Sequence, residues 1–555
     1  MKKIYILLLG IFLLAFCLRI YKLDQSPSGF HRDEAFLGYN AFSILKTGKD
    51  MNGIVFPLHL KSFLYTPAGY SYLSIPSILV FGLNEFSVRF PSAFFGALSV
   101  IPLYFLSTYV IKLKNTRESE KIGLIASFLL AITPWHINLS RTASVITVVV
   151  FLILLGVLFA FIWAKRKNYI FLVASFIFYG LSLMFYVAPY SFLPLFIPLL
   201  FIFLGIQKRT KKVIFVSLLA FFITILLPLF LTVRSPNLSL RMKSISITNH
   251  DLAKLVTQEQ IREDGVVQTR IIVARFFHNK PYNLMNEFVQ NYLKHVSPEF
   301  LFSDKPFPER YQIPSSSLLF LFQLPLILIG VFMIIKRNLR FGYFLFAWIA
   351  IVPIGSAFTF DDVPNLQRTL TMLPAIIIIS SVGLYFFVTW SKRIMPILII
   401  ISVGTIILSM FFYLHQYYLH GKVYRPWYRQ DGYKQLVEDV KGMEKSYDKV
   451  VVTNRESAPT IFFLFYSSYA PVRFWNDTKN PNTQDFDRVN FANYEFSQEE
   501  CPLRYDELTK KYTGISQVLY INSGLCKDFK RVEVLKRIYR KDNSEVFRIV
   551  QLSKY

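Results

Sequence analysis

Tyr65-Thr66-Pro67-Ala68-Gly69-Tyr70-Ser71-Tyr72-Leu73-Ser74-Ile75-Pro76-Ser77-Ile78-Leu79-Val80-Phe81-Gly82-Leu83 is uncharged throughout. Whether it crosses a membrane decides the fold, because eleven other nearly uncharged runs stand elsewhere in the chain. These are residues 4–20, 89–111, 121–139, 143–164, 168–187, 189–206, 212–233, 315–335, 341–358, 370–390 and 394–414. Each is close to the ~20 residues a helix needs to cross a hydrocarbon layer, and a helix satisfies its backbone groups internally, as lipid requires. Positive charge concentrates at Lys2-Lys3, Lys112 to Lys121, Lys165-Arg166-Lys167, Lys208 to Lys212, Lys336 to Arg340 and Lys392-Arg393. Short basic loops stay cytoplasmic, and all of these do so only if one run between residues 21 and 111 fails to cross. Residues 65–83 are the run to demote: Pro67, Gly69, Pro76 and Gly82 punctuate it, and Tyr65, Tyr70 and Tyr72 mark an interface. The sequence predicts an α-helical polytopic membrane protein of about eleven spans, the N-terminus cytoplasmic and the C-terminus external.

Composition agrees. Of 555 residues, 53% are hydrophobic and only 17% charged, against about a quarter charged in soluble chains. The net charge of +26 is explained by cytoplasmic loops and a basic external surface, and nucleic acid is not an expected partner. The expected location is the plasma membrane. Cys17 lies in the first apolar run, which reads as a retained helix because Phe16 is too large for a lipoprotein cleavage site. Cys501 and Cys526 could pair if their segment faces an oxidising space.

With eleven spans, the external face receives residues 21–88, the turn Ser140-Arg141-Thr142, the turn Ala188-Pro189-Tyr190, the long loop 234–314, the turn 359–369 and everything after about 415. The expected division is a transmembrane domain over 1–415 and an external α/β domain over 416–555. In the first loop, apolar residues at 37, 41, 44 and 45 predict a short interfacial helix with Asp33-Glu34 at its N-terminal end, where the helix dipole favours acids. Beyond 415, Lys449 to Thr453, Ile461 to Tyr466, Ser516 to Ile521 and Glu545 to Leu552 read as strands, and Gly432 to Lys445 as a helix. No Walker loop, dinucleotide fingerprint or metal-spaced Cys/His set is present.

Chemistry should sit on the external face, where the acids and arginines gather. An acid pair at a membrane surface can take a proton from a hydroxyl, so Asp33 and Glu34 are the candidate catalytic residues; the plain alternative is a capping acid pair. If a divalent metal takes part, the same two acids are its candidate ligands. Arg141, Arg368 and Arg310 are candidates to hold a phosphate, Arg368 following Phe360-Asp361-Asp362-Val363-Pro364-Asn365-Leu366-Gln367. Their alternative is pairing with nearby acids or lipid headgroups. His31, Tyr39, Tyr65 and Tyr190 are candidates to touch a substrate, or to anchor the interface.

The ordered set Arg32-Asp33-Glu34-Ala35, Tyr65-Thr66-Pro67, Gly82-Leu83-Asn84-Glu85-Phe86-Ser87-Val88-Arg89-Phe90-Pro91-Ser92-Ala93, Pro134 and Ser140-Arg141 resembles bacterial relatives of the protein O-mannosyltransferases and the lipid A aminoarabinose transferase. The resemblance runs best over residues 1–190 and is absent from the C-terminal domain. It implies a GT-C fold with juxtamembrane helices in the first external loop, and inverting transfer from a polyprenyl-phosphate sugar. It also implies Asp33 as the base, with Glu34 beside it, and Arg141 as the family's arginine of the second external turn. The acceptor hydroxyl would belong to a lipid, a protein or a glycan. Where many members carry Lys-Pro-Pro or His-Pro-Pro, this chain has Tyr65-Thr66-Pro67, and no acid follows Arg141 in Ala143-Ser144-Val145. A transporter or flippase of lipid-linked sugars and a non-catalytic envelope-assembly scaffold are the alternative functions.

Overall fold

A run of leucine, isoleucine and phenylalanine with few breakers closes its own hydrogen bonds as a helix, and each of the eleven apolar runs does so. In a computed structural model of the chain, residues 2–61, 65–113, 115–305, 307–478 and 488–553 are described; Lys114 of the basic loop 112–121 lies outside them. Among the described residues, six helices are long and apolar enough to cross a membrane: Lys3–Ile20, Glu85–Val110, Val145–Arg166, Lys211–Arg234, Leu366–Val388 and Met395–Val423. A seventh arises if Thr116–Ile132 and Pro134–Ser140, bent by 54°, form one span. Tyr169–Leu183, Pro189–Phe203, Gln323–Lys336 and Gly342–Ala357 fill the other apolar runs as helices of 10–17 residues. The opening stretch forms a short strand, Tyr65–Pro67, and the helix Gly69–Phe81, whose 13 residues fall well short of a span. Exposed Phe215, Ile223, Leu231, Ile400 and Leu408 on Lys211–Arg234 and Met395–Val423 mark these helices as apolar without protein cover. That exposure fits a multi-pass membrane protein.

The chain divides into two compact units. One comprises residues 1–19, 92–140 and 144–413 and holds most of the apolar helices. Within it, Gln323–Lys336 packs against Leu373–Val388, and the helices approach through glycine: a Cβ on Gly383 would sit 1.8 Å from the Leu326 carbonyl oxygen, and one on Gly330 2.1 Å from that of Ile379. Small residues let membrane helices come this close.

The other unit comprises residues 20–91, 141–143 and 414–555. The chain thus parts at Leu414, and the first loop, together with Arg141 to Ala143, gathers with the C-terminal residues. Its five-stranded sheet runs in the order Tyr494–Ser497, Lys449–Thr453, Val518–Ser523, Glu545–Leu552, Val532–Tyr539; the first three are parallel and the rest antiparallel. Ile461 to Tyr466, expected as a strand, is instead the helix Pro459–Tyr466. Periodicity cannot separate strand from helix in so short an apolar run, and Pro459 at the first helical turn favours the helix. Tyr433–Met443 is helical as expected. Cys501 and Cys526 form a disulfide. The helix Arg32–Thr47 differs from the interfacial helix the sequence predicts: residues 34–41 are all buried, so protein rather than lipid headgroups surrounds it.

Candidate active site

The helix Arg32–Thr47 begins at a capping box. His31, in extended backbone, accepts the Asp33 amide on its ring nitrogen at 3.2 Å, and the Glu34 carboxylate accepts the His31 amide at 3.2 Å. Turning Glu34 back toward the cap sends it inward. There Arg89 clamps it, donating from Nε to Oε1 at 3.0 Å and from Nη2 to Oε2 at 3.1 Å, while the Ala143 amide donates to Oε1 at 2.8 Å. Arg89 is fully buried and spends its remaining donors on the carbonyls of Leu23, Pro27 and Gly29. Burial pushes the Glu34 carboxyl up, but Arg89, its hydrogen bonds and the Ala143 amide outweigh this and hold it below the ordinary glutamate value. Gly29 is required where it stands: its φ is +74°, and a Cβ would meet the Arg429 carbonyl oxygen at 2.6 Å.

Asp33, one residue earlier, is in the opposite setting. Its side chain is 61% exposed, with Oδ2 3.3 Å from His31 Nδ1. Arg32 donates from its amide to Gln430 Oε1 and from Nη1 to Ser457 Oγ, both at 2.8 Å. An exposed carboxylate on a rigid helix start, beside a neutralised buried one, can accept a proton. The pair does not fit a shared metal ion, because a guanidinium already occupies Glu34; among the described residues no three His, Cys, Asp or Glu side chains converge for one.

The structure distributes the other expected site residues unevenly. Arg141 is fully buried, donating to the Tyr417 hydroxyl and to the carbonyls of Tyr21, Lys22 and Ser26, with the rings of Tyr417 and Tyr418 about its guanidinium. It ties the 21–26 turn rather than facing solvent. Tyr39 is also buried, its hydroxyl donating to the Tyr469 carbonyl at 2.9 Å. Tyr65 is half-buried and pairs with Lys61 in a small antiparallel ladder.

Arg310, Arg368 and Tyr190 belong to the unit of apolar helices. Tyr190 is buried at the start of Pro189–Phe203. Arg368 follows the cap Asn365, whose Oδ1 accepts the amides of Gln367 and Arg368. Its Nη2 meets both oxygens of Asp361 at 3.0 Å, and its Nη1 donates to Thr359 Oγ1 at 2.6 Å. The turn bearing Arg310 is bound to the same loop: Leu366 donates to the Phe307 carbonyl, and Gln367 to the Tyr311 hydroxyl. Arg310 and Arg368 both act on Asp362, although burial dominates and pushes that carboxyl up. His295 was not singled out from sequence. Its Nε2 accepts the Asn365 amide at 3.0 Å and lies 2.8 Å from Ser356 Oγ, while Nδ1 meets the Asn291 carbonyl at 2.7 Å. Burial lowers it to about 4, so a neutral ring holds the Arg368 loop. A lone histidine in a polar helix carries no sequence signal for that role.

No family model matches the sequence, and no curated protein matches it significantly. Solved structures do match. The archaeal oligosaccharyltransferase AglB from Archaeoglobus fulgidus, solved with an inhibitory peptide and a dolichol-phosphate, superposes with a TM-score of 0.52 at 14% identity, over 84% of this chain and 63% of that one. The chain thus spans under two thirds of the length of that relative. ArnT from Cupriavidus metallidurans in the apo state superposes with a TM-score of 0.50 at 11% identity, over 98% of this chain and 97% of that one. Both are GT-C glycosyltransferases. At these identities the likeness speaks for the fold, and the fold of this chain is GT-C.

Proposed function

We propose that the protein is an inverting glycosyltransferase that moves a sugar from a polyprenyl-phosphate donor to an acceptor hydroxyl at the outer face of the membrane. The observation that carries this reading is the division of the acid pair: Glu34 is locked on Arg89 while Asp33 stays exposed on the same helix start. In the proposed reaction Asp33 takes the acceptor proton as the acceptor oxygen bonds to the anomeric carbon. The bond from that carbon to the phosphate oxygen breaks, and its electron pair leaves with the lipid phosphate. Arg368 and Arg310 are the proposed partners of the developing phosphate charge. Arg141, enclosed by carbonyls, is proposed to set the shape of the 21–26 turn.

The dolichol-phosphate bound to the archaeal relative supports a lipid-phosphate donor. Eleven spans, a cytoplasmic N-terminus and an external C-terminus are part of the proposal. They are supported by the basic loops and by the Cys501–Cys526 disulfide, a bond that persists in oxidising compartments.

The test is transfer of radiolabelled sugar from a panel of polyprenyl-phosphate sugars in membranes expressing wild type or Asp33→Asn at equal level. Loss of about 10²–10⁴-fold in the variant is the expected result for removal of a general base. Undiminished transfer by Asp33→Asn would move the base elsewhere, and no transfer from any donor would favour a transporter or scaffold.

A further inference from the structure

A cavity of about 520 Å³ lies within the unit that carries Asp33, and nothing in the proposed chemistry uses it. Its position follows from the sheet. Lys449–Thr453 and Val518–Ser523 are parallel neighbours, and open α/β sheets take ligands outside the carboxyl ends of such strands. The chain leaving the first strand supplies Arg455, Glu456 and Ser457 to the cavity; the second ends in it at Ser523. Antiparallel Glu545–Leu552 begins at the same end. His31 and Arg32 also line it, and His31 Nδ1 is 3.3 Å from the Asp33 carboxylate.

The lining has a definite chemistry. Trp427 borders the cavity with 46% of its surface exposed, and Tyr428 follows it. A half-exposed indole beside a cavity lined in part by polar side chains offers a sugar ring an apolar surface to stack on. The charges favour an anion. Arg455, half exposed, has among the described residues one ion pair, to Glu500 at 3.6 Å, and such an exposed pair neutralises little. Arg540 has a side chain only 10% exposed; it bonds Glu456 at 2.7 Å and Ser544 at 3.2 Å, and its buried Nε has no partner among the described residues. Of the two lining glutamates, Glu456 is taken by Arg540, and Glu545 is neutralised by Arg537 and Arg548.

We infer that this cavity binds an acidic glycan, stacking a sugar ring on Trp427 and holding a carboxylate or phosphate substituent with Arg455. That it is the saccharide part of the acceptor rests on the transferase reading; that the cavity binds an acidic glycan does not. On this inference the C-terminal sheet recognises the acceptor beside the residue that deprotonates it.

The test reads binding without turnover. Full-length protein carrying Asp33→Asn, in lipid nanodiscs, is titrated calorimetrically with tetragalacturonate, with phosphorylated maltotetraose and with plain maltotetraose. At least one acidic probe should bind about tenfold or more tighter than maltotetraose, and Trp427→Ala and Arg455→Gln should each weaken it about tenfold. Trp427→Phe, which keeps an aromatic face, should bind nearly as the parent does, separating loss of stacking from loss of fold. Equal binding of acidic and neutral probes, no binding of either, or acidic binding unmoved by both substitutions would overturn the inference. Binding as expected with no sugar transfer would sink the transferase reading alone, and transfer without probe binding would sink the cavity assignment alone.

Discussion

Asp33 and Glu34 are adjacent in the chain and opposite in environment, and helix geometry is the reason. The third helical residue can swing back to the cap and inward, whereas its predecessor lies about 100° around the helix and meets solvent. The two substitutions should therefore separate. Glu34→Gln leaves the Arg89 charge buried without its counter-ion, a loss on the order of 3–5 kcal/mol, and should lower the unfolding temperature of the purified protein. Asp33→Asn changes an exposed side chain and should alter stability by less than about 0.5 kcal/mol. The cost of Glu34→Gln should also depend on pH. Because the folded Glu34 carboxyl titrates below its ordinary value of 4.5, its contribution is complete above 4.5 and fades as pH falls through the lowered folded value. The wild type and Glu34→Gln should converge in stability in that acidic window; a gap constant down to the folded value would count against the ion pair as its source. The sequence offers the acid pair but not this partition, since Arg89 lies 55 residues away and the Ala143 amide 109.

At the scale of elements, His295 shows how one neutral ring can hold several pieces. It reaches from Lys280–Val296 to Ser356 and to the cap Asn365 of the short helix that bears Arg368. Its folded value is lowered to about 4 from 6.5, chiefly by burial. Between those values the unfolded chain binds the proton and the folded one does not, so stability falls as pH drops from 6.5 toward 4. Hydrogen exchange at residues 356–369, corrected for the intrinsic pH dependence, should lose protection across that window, and His295→Gln should flatten the loss. The glycine crossing makes a second, independent expectation. A Cβ at Gly383 meets a backbone carbonyl that cannot rotate away, so Gly383→Ala should destabilise by about 1–3 kcal/mol; retention of full thermal stability would mean the two helices can part at little cost. Elements are also where sequence reading divides. Long apolar runs announce themselves as helices, and the alternation-poor run Lys449 to Thr453 as a strand, but Pro459–Tyr466 does not, because a short, mostly apolar run buried along nearly its whole length carries no period.

At the scale of the whole molecule, the apolar runs and their basic loops are legible because they follow from local composition. The gathering of residues 20–91 with the C-terminal segment is not, since it rests on bonds such as that from Tyr39 to Tyr469, 430 residues apart. The cavity beside the sheet was illegible for the same reason. The basic loops bear on parity. An odd number of spans puts the termini on opposite faces, and the short helix Gly69–Phe81 is the element whose crossing would change the count. Two measurements on intact cells address this together. Reporters active only in the cytoplasm should be active at the N-terminus and silent at the C-terminus. On the proposed topology, a membrane-impermeant maleimide should modify Cys501 and Cys526 only after reduction, because they are disulfide-bonded, and should do so without permeabilising the cell. A cytoplasmic C-terminal reporter would make the number of spans even. The basic loops would then divide between the two faces, against the charge pattern on which the proposed topology rests.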